Sequence, residues 1–440
     1  MTETLVAPTT HTRVVTPKRA WLITSLLFAF LLLNFADKAV LGFAGVHIQQ
    51  DLDITPAQFG LLQSAFFWLF AAGAIVLGAL SSRIGMRWLL AAMMLVWIVT
   101  MVPLLGPVSF GVLLACRIAL GFAEGPAYAL ATHTVHSWFP AEKRALPSGI
   151  VTAGASVGPL LAAPILTWVI VTWSWHAAFG VLIVAGGLWM AAWLAFGKNA
   201  PESTDVAQTV ATPQVADRSL RRILLTGTVI GIGLLTFFSY WATTLKVAWL
   251  PVYLTDGLGY DTTTAGRLII LPYAVAAATA IGAGWLSNHL TARGVSRKAS
   301  RGYLAGGLVV TSGVSMVAFT LLAAGLPQML FITLAFSLNS AAFAVAFTAI
   351  GDVVHPRRRG TVMGCLVAFY SMAGILAPLV LGYFVGSASD RITGYGHGFA
   401  LTGILMAVGG AAATLLVNPE RDMNPTREST ATITTTEVIR

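Results

Sequence analysis

At 440 residues, with 57% hydrophobic and 10% charged side chains and a mean hydropathy of +0.80, the chain has too little polar surface for a soluble globule and reads as an all-α polytopic membrane protein. The excess of 26 Lys and Arg over 17 Asp and Glu, a net charge of +9, raises nucleic acid or anionic lipid as partners until the placement of the charges is considered. Two cysteines, Cys116 and Cys365, both inside apolar runs, argue against a disulfide framework or metal site, and no HExxH, GxSxG or clustered His/Cys pattern supports an enzyme.

The first residues are polar, and the long apolar segment after them lacks a small-residue cleavage site, so no removable signal peptide is expected. Apolar runs of about 20 residues, the length that crosses a bilayer, recur twelve times. They fall at 20–46, 58–81, 88–107, 111–137, 146–169 and 176–197, then at 223–253, 265–289, 302–324, 328–352, 361–386 and 397–417. The polar stretch 198–222 lies between the sixth and seventh and reads as a linker joining two six-helix halves, 20–197 and 223–417, flanked by tails 1–19 and 418–440.

Lys and Arg fix the expected orientation. The N-terminus (Arg13, Lys18, Arg19), the turns after helix 2 (Arg83, Arg87) and helix 4 (Lys143, Arg144), and the linker (Lys198, Arg218, Arg221, Arg222) all fall on one side. So do the turns after helix 8 (Arg293, Arg297, Lys298, Arg301) and helix 10 (Arg357, Arg358, Arg359), and the C-terminus (Arg421, Arg427, Arg440). The opposite loops hold Arg267 and Arg391 among Asp51, Asp53, Asp256, Asp261 and Asp390. The positive-inside rule places both termini and the linker in the cytoplasm, so the basic balance is topology and no nucleic-acid partner is expected.

Three cations, Lys38, Arg117 and Lys246, remain inside spans. An ionisable group at mid-bilayer costs about 3 kcal/mol on insertion scales, so it faces a protein interior or aqueous path and marks function. Arg117 and Glu124, two helical turns apart, share one face of helix 4. That face reads as the wall of a pathway for an anion coupled to protons; the plainer reading is a buried ion pair bracing the helix. Asp37 and Lys38 are neighbours in helix 1 and point about 100° apart, with Asn34 in reach of either. Lys246 stands about two turns from the end of helix 7, close enough for its stem to snorkel. Tyr240, Trp241, Trp249 and Tyr253 around it read as an interfacial belt. His133 and His136 read as structural.

The halves echo each other. GALSSRIG at 78–85 and GWLSNHLT at 284–291 close the second helix of each half, and HSWFPAEKR at 136–144 and VVHPRRRG at 353–360 close the fourth. Such repeats mark transporters built around a central site. These residues resemble the major facilitator superfamily over about 18–420, with Gly78, Arg83, Gly85 and Arg87 matching its interdomain loop motif, Ser82 in place of the motif's acid and Asn288 at the equivalent place in the second half. GASVGPLLAAP at 154–164 is similar to its Gly-Pro motif. NFADKAVL at 34–41, RIALGFAEGPAYALATHTVHSWFPAEKRA at 117–145 and AWLPVYL at 248–254 resemble the anion:cation symporter branch of galactonate, glucarate, hexuronate and phthalate permeases.

That resemblance implies a twelve-helix fold in two halves and uptake of organic acids driven by protons. It implies Asp37 and Glu124 as protonation sites and Arg117 as the cation that binds the substrate carboxylate, with Lys38, Lys246, Asn34, Phe70 and Ser371 as further substrate-facing positions. Where sugar-acid members place Gln, Asn and Tyr, this chain aligns Ala155, Ser371 and Phe70, which argues against a polyhydroxylated substrate. Phe66, Phe67, Trp68 and Phe70 favour an aromatic or poorly hydroxylated carboxylate. No cofactor is expected beyond the proton as coupling ion; the expected partners are a small organic anion, protons and the bilayer, with the protein a monomer. Sodium coupling, a sugar-acid or dicarboxylate symporter and a proton-coupled exporter of small organic compounds remain alternatives.

Overall fold

The computed structural model describes residues 17–81, 83–140, 143–200 and 219–423. Ser82, Arg13, Arg218, Arg427, Arg440 and most of the linker and tails lie outside these residues. Twelve helices are long and apolar enough to cross a membrane. In the first half they are α1 (Lys18–Phe43), α2 (Pro56–Leu80), α3 (Met86–Leu105), α4 (Phe110–Trp138), α5 (Leu146–Thr172) and α6 (Trp175–Phe196). The second half holds α7 (Gly227–Ala248), α8 (Thr262–Ala292), α9 (Lys298–Thr320), α10 (Leu326–Val353), α11 (Arg358–Ser387) and α12 (Arg391–Leu416). No strand occurs among the described residues.

The largest departure from the sequence reading is α7, expected over 223–253. It ends at Ala248, and Leu250–Val252 and a π-turn, Tyr253–Gly257, carry the chain onward. Pro251 explains the break, since it has no N–H to continue the ladder. Trp249 and Tyr253 are fully or nearly fully buried, so this aromatic group is core and not an interfacial belt.

Most helices that start at the end opposite the termini are capped by a side chain there: Thr55 on α2, Ser109 on α4, Ser174 on α6, Asp261 on α8 and Asp390 on α12. Thr393 donates to Asp390 and Thr264 to Asp261, which holds both carboxyls below the usual range.

The halves repeat one packing pattern. In the first, α1 lies on α5, α2 on α4 and α3 on α6; in the second, α7 lies on α11, α8 on α10 and α9 on α12. Between halves, α2 meets α11, α5 meets α8 and α1 meets α7. Glycine sets the α2–α4 distance: a Cβ on Gly121 would fall 1.7 Å from the Phe66 carbonyl oxygen, and one on Gly73 1.8 Å from that of Phe122. Without an apolar driving force between helices in lipid, such close backbone approach supplies the packing.

Candidate functional site

Both α4 and α10 are interrupted near mid-span. In α4 the first segment ends at Glu124 and the second begins at Ala127, with Gly125 and Pro126 between. In α10 a 3-10 turn, Leu338–Ser340, separates Leu326–Ser337 from Ala341–Val353. Pro126 removes one ladder donor and frees carbonyls in the preceding turn. Interrupted helices are tolerated at membrane depth where protein or a cavity receives their freed groups.

The break in α4 meets the charged face of α1. Asp37, Arg117 and Glu124 are 2%, 4% and 1% exposed, so the charges are withdrawn from solvent. The Lys38 ammonium lies 2.9 Å from Glu124 Oε2 and also donates to Asn34 Oδ1. The Asp37 carboxyl faces Glu124, with Arg117 and Lys38 beside it, yet neither of its oxygens makes a hydrogen bond of ordinary geometry. Arg117 lays its guanidinium over the Phe66 ring, 4.9 Å from the centroid, and its Nε and Nη1 have no hydrogen-bond partner among the described residues. Lys38 stands 4.4, 5.6 and 5.9 Å from the ring centres of Phe35, Phe66 and Phe70. The separation expected from adjacency in α1 is thus overcome, because α4 presents two turns of polar face that reach both Asp37 and Lys38.

With both acids ionised, two anions and two cations sum to zero; each added proton leaves the cluster one charge more positive. In surroundings of low dielectric that difference acts strongly on an approaching anion.

Beside the charges stands an aromatic wall drawn from both halves. Phe66, Phe67 and Phe70 of α2 contact one another at 5.0–5.7 Å between ring centres. Tyr240 of α7 closes on Phe67 at 6.0 Å, on Tyr370 of α11 at 4.8 Å and on Phe343 of α10 at 6.2 Å. The sequence reading did not assign Tyr240, Phe343 or Tyr370 to the site. Nothing local distinguishes them from packing aromatics, and only the docking of the halves brings them together.

Other expected positions fall elsewhere. Lys246 is buried in the second half, where its Nζ donates to the Phe336 carbonyl at 3.1 Å and lies 4.8 Å from the Tyr273 ring centre. It therefore serves the broken end of α10 and does not join the four charges. Ser371 donates to Ala368 of its own helix at 2.9 Å. Of the loop motif, Gly78 faces open space and Arg83 is exposed. Arg87 donates to the Leu194 carbonyl at 2.5 Å and its N–H to Asn199 Oδ1 at 2.9 Å, while a Cβ on Gly85 would meet the Asn199 amide at 2.4 Å. These contacts tie the motif to the end of α6, within its own half. His136 pairs with Ser148 Oγ at 2.9 Å, a link between α4 and α5.

In the second half, Arg301 pairs with Asp352 at 3.2 Å and donates to Ser287 and Asn288. This joins the ends of α8, α9 and α10. The sequence reading did not assign Asp352, although an acid five residues before a run of arginines was a signal open to it.

The Major Facilitator Superfamily model matches residues 26–316 and 295–439, and the chain belongs to that superfamily of transporters. It is 26% identical over 405 residues to the "Hexuronate transporter" of Bacillus subtilis (strain 168), covering 90% of this chain and 94% of the relative. It is also 26% identical over 424 residues to the "D-galactonate transporter" of Escherichia coli O6:H1 (91% and 96% covered). The "Probable sulfoacetate transporter SauU" of Cupriavidus necator is 25% identical over 420 residues (91% and 94% covered). Among solved structures, a bacterial homolog to the human lysosomal transporter Spinster, in an inward-facing and occupied conformation, superposes with a TM-score of 0.77 at 19% identity, covering 91% of this chain and 97% of that one.

Proposed function

We propose that the chain is a secondary active transporter that takes up an organic carboxylate together with protons by alternating access. The observation that carries this is the buried cluster of Asp37, Lys38, Arg117 and Glu124 against an aromatic wall built from both halves. The relatives named for hexuronate, D-galactonate and sulfoacetate support an organic anion.

In this reading Glu124 and Asp37 take protons from the periplasmic side. Protonation of Glu124 releases Lys38 from its ion pair, and Arg117, whose Nε and Nη1 have no hydrogen-bond partner among the described residues, donates to a carboxylate through its planar fork. Departure of the anion to the cytoplasm lets the acids ionise and the pair re-form. The rings of Phe67, Phe70, Tyr240, Phe343 and Tyr370 favour an aromatic or poorly hydroxylated acid, since they offer mostly apolar faces where a sugar acid needs hydrogen-bonding partners. The basic loops support cytoplasmic termini in a bacterial inner membrane, and the paired halves enclose the site within one chain, in keeping with a monomer.

The test is uptake into proteoliposomes with an imposed pH gradient, using radiolabelled benzoate, phthalate and D-glucuronate. Accumulation of benzoate or phthalate that collapses with a protonophore is expected. Preference for D-glucuronate moves the substrate to the sugar acids, persistence of uptake under a sodium gradient alone replaces the coupling ion, and efflux of cationic compounds without uptake of any acid overturns the reading.

A further inference from the structure

A second feature of Asp37 lies on its far side, away from Glu124. A small internal space between α1, α3 and α6 is lined by Asp37, Leu33, Trp97, Met101, Leu182 and Gly186 and is roughly the size of one water molecule. Trp97 is 1% exposed and stacks on Phe30 at 4.7 Å, and its indole N–H has no hydrogen-bond partner among the described residues. Its neighbour Trp189 donates to the Leu26 carbonyl at 2.7 Å. Both Asp37 oxygens and Asn34 Nδ2, one turn earlier on α1, are buried and make no hydrogen bond of ordinary geometry, although the carboxyl faces Glu124. An apolar cavity of this size stays dry, but Asp37 and Trp97 both line this one, and each carries buried polar atoms that a water between them could serve.

We propose that this space is a water site that joins the Trp97 indole N–H to the Asp37 carboxyl, and that Trp97 is thereby a positioning residue for the proton step at Asp37. The inference rests on the reading of Asp37 as a proton site. The N–H gives the site its polarity: a donor in the wall suits water or a carboxylate and repels a sodium ion. The titratable and charged groups facing Asp37 are Glu124 and Arg117 from α4 and Lys38 from its own helix, while α3 and α6 present Met94, Trp97, Ile98, Met101, Leu182 and Gly186 to the space. Among the residues that line the space, Trp97 is the one whose side chain carries a donor.

The experiment is infrared difference spectroscopy of the purified full-length protein between acidic and alkaline buffer, in ordinary water and in water labelled with heavy oxygen. We expect a water band sensitive to the label that is lost in Asp37→Asn and in Trp97→Phe, which keeps an aromatic ring and removes the donor. In reconstituted protein, Trp97→Phe is expected to displace the pH midpoint of proton-driven uptake by about half a unit or more. Gly186→Ala tests the same water with the indole intact: its Cβ would meet Met94 Sδ at 3.1 Å and Ile98 Cγ1 at 3.3 Å, so the methyl contracts the space. Gly186→Ala is expected to lose the band as well, and it decides the matter if Trp97→Phe does not fold. A band that persists in the folded variants, or a wild-type spectrum without one, overturns the inference. Failure of the transport reading shows separately, as absence of acid uptake by the wild type.

Discussion

At the scale of single residues, Arg117 and Lys246 are both buried cations, and their surroundings separate them. Arg117 has donors without partners beside two acids and an aromatic face, whereas Lys246 has a backbone carbonyl and a tyrosine ring and no acid in contact among the described residues. A planar fork holds a carboxylate through two parallel bonds and an ammonium cannot. Arg117→Lys is therefore expected to raise KM for the transported acid about tenfold or more, equivalent to about 1.4 kcal/mol, with the protein still folded. Lys246→Met should change KM by less than about threefold, because methionine replaces the stem at similar volume and removes an amine that sits apart from the cluster. A tenfold rise in Lys246→Met, measured in the same uptake assay, would place that amine on the substrate path. Glu124→Gln leaves Lys38 without its carboxylate and takes away one proton acceptor. It should abolish accumulation against the acid's gradient and the accompanying proton influx, read with an internal pH dye.

At the scale of elements, the charges are only as well placed as the crossing of α2 and α4 allows. Gly121 lies one turn from Arg117 and three residues before Glu124, and its Cα faces the Phe66 carbonyl with no room for a methyl. Gly121→Ala must part the two helices at that point, and overpacking of this kind costs about 1–3 kcal/mol. The expected outcome is a lower Tm in detergent together with weakened uptake; a variant with unchanged Tm and full uptake would show that the crossing has slack. Much of this arrangement was legible in the sequence. The spans follow from hydropathy and length, and Arg117, Glu124, Asp37 and Lys38 declared themselves as charges where charge is expensive. The sequence reading took helix 4 as unbroken over 111–137, although Gly125 and Pro126 carried a local signal for its interruption, whereas Leu338–Ser340 contains neither Pro nor Gly. That turn is held by tertiary bonds, with Asn339 donating to the Ser239 carbonyl and Thr243 Oγ1 and Ser340 to the Ala276 carbonyl, and no local pattern encodes these. The same holds for Tyr240 and Trp97: which neighbour an aromatic ring meets depends on how distant helices dock.

At the scale of the whole molecule, the two halves touch at the end opposite the termini. There a Cβ on Gly60 would fall 2.4 Å from the Pro378 carbonyl oxygen, one on Gly382 2.7 Å from that of Pro56, and one on Gly42 2.1 Å from that of Val247. Phe59 packs edge-on against Trp249 at 5.1 Å, and Gln63 donates to the Ala248 carbonyl at 3.4 Å. Toward the other end, Gly149 of α5 and Gly360 and Gly364 of α11 face open space. With the termini in the cytoplasm, as proposed, the closed end is the periplasmic one, and its closure depends on glycine at the α2–α11 contact. Gly60→Leu places a branched chain where backbone meets backbone, while any state that separates α2 from α11 at that end relieves the clash. A bias of about 2 kcal/mol against the closed contact changes the ratio of states about 30-fold. Spin labels at Gln50 and Ser389, one on each half at that end, in a background with Cys116 and Cys365 replaced, should report longer distances in Gly60→Leu than in the parent protein. Proton-driven uptake should fall in parallel, because alternating access requires both states to be populated. Unchanged distances would mean that α2 and α11 accommodate the side chain by sliding, and that the gate at this end is set elsewhere, at the α5–α8 contact where Gly266 meets Thr167.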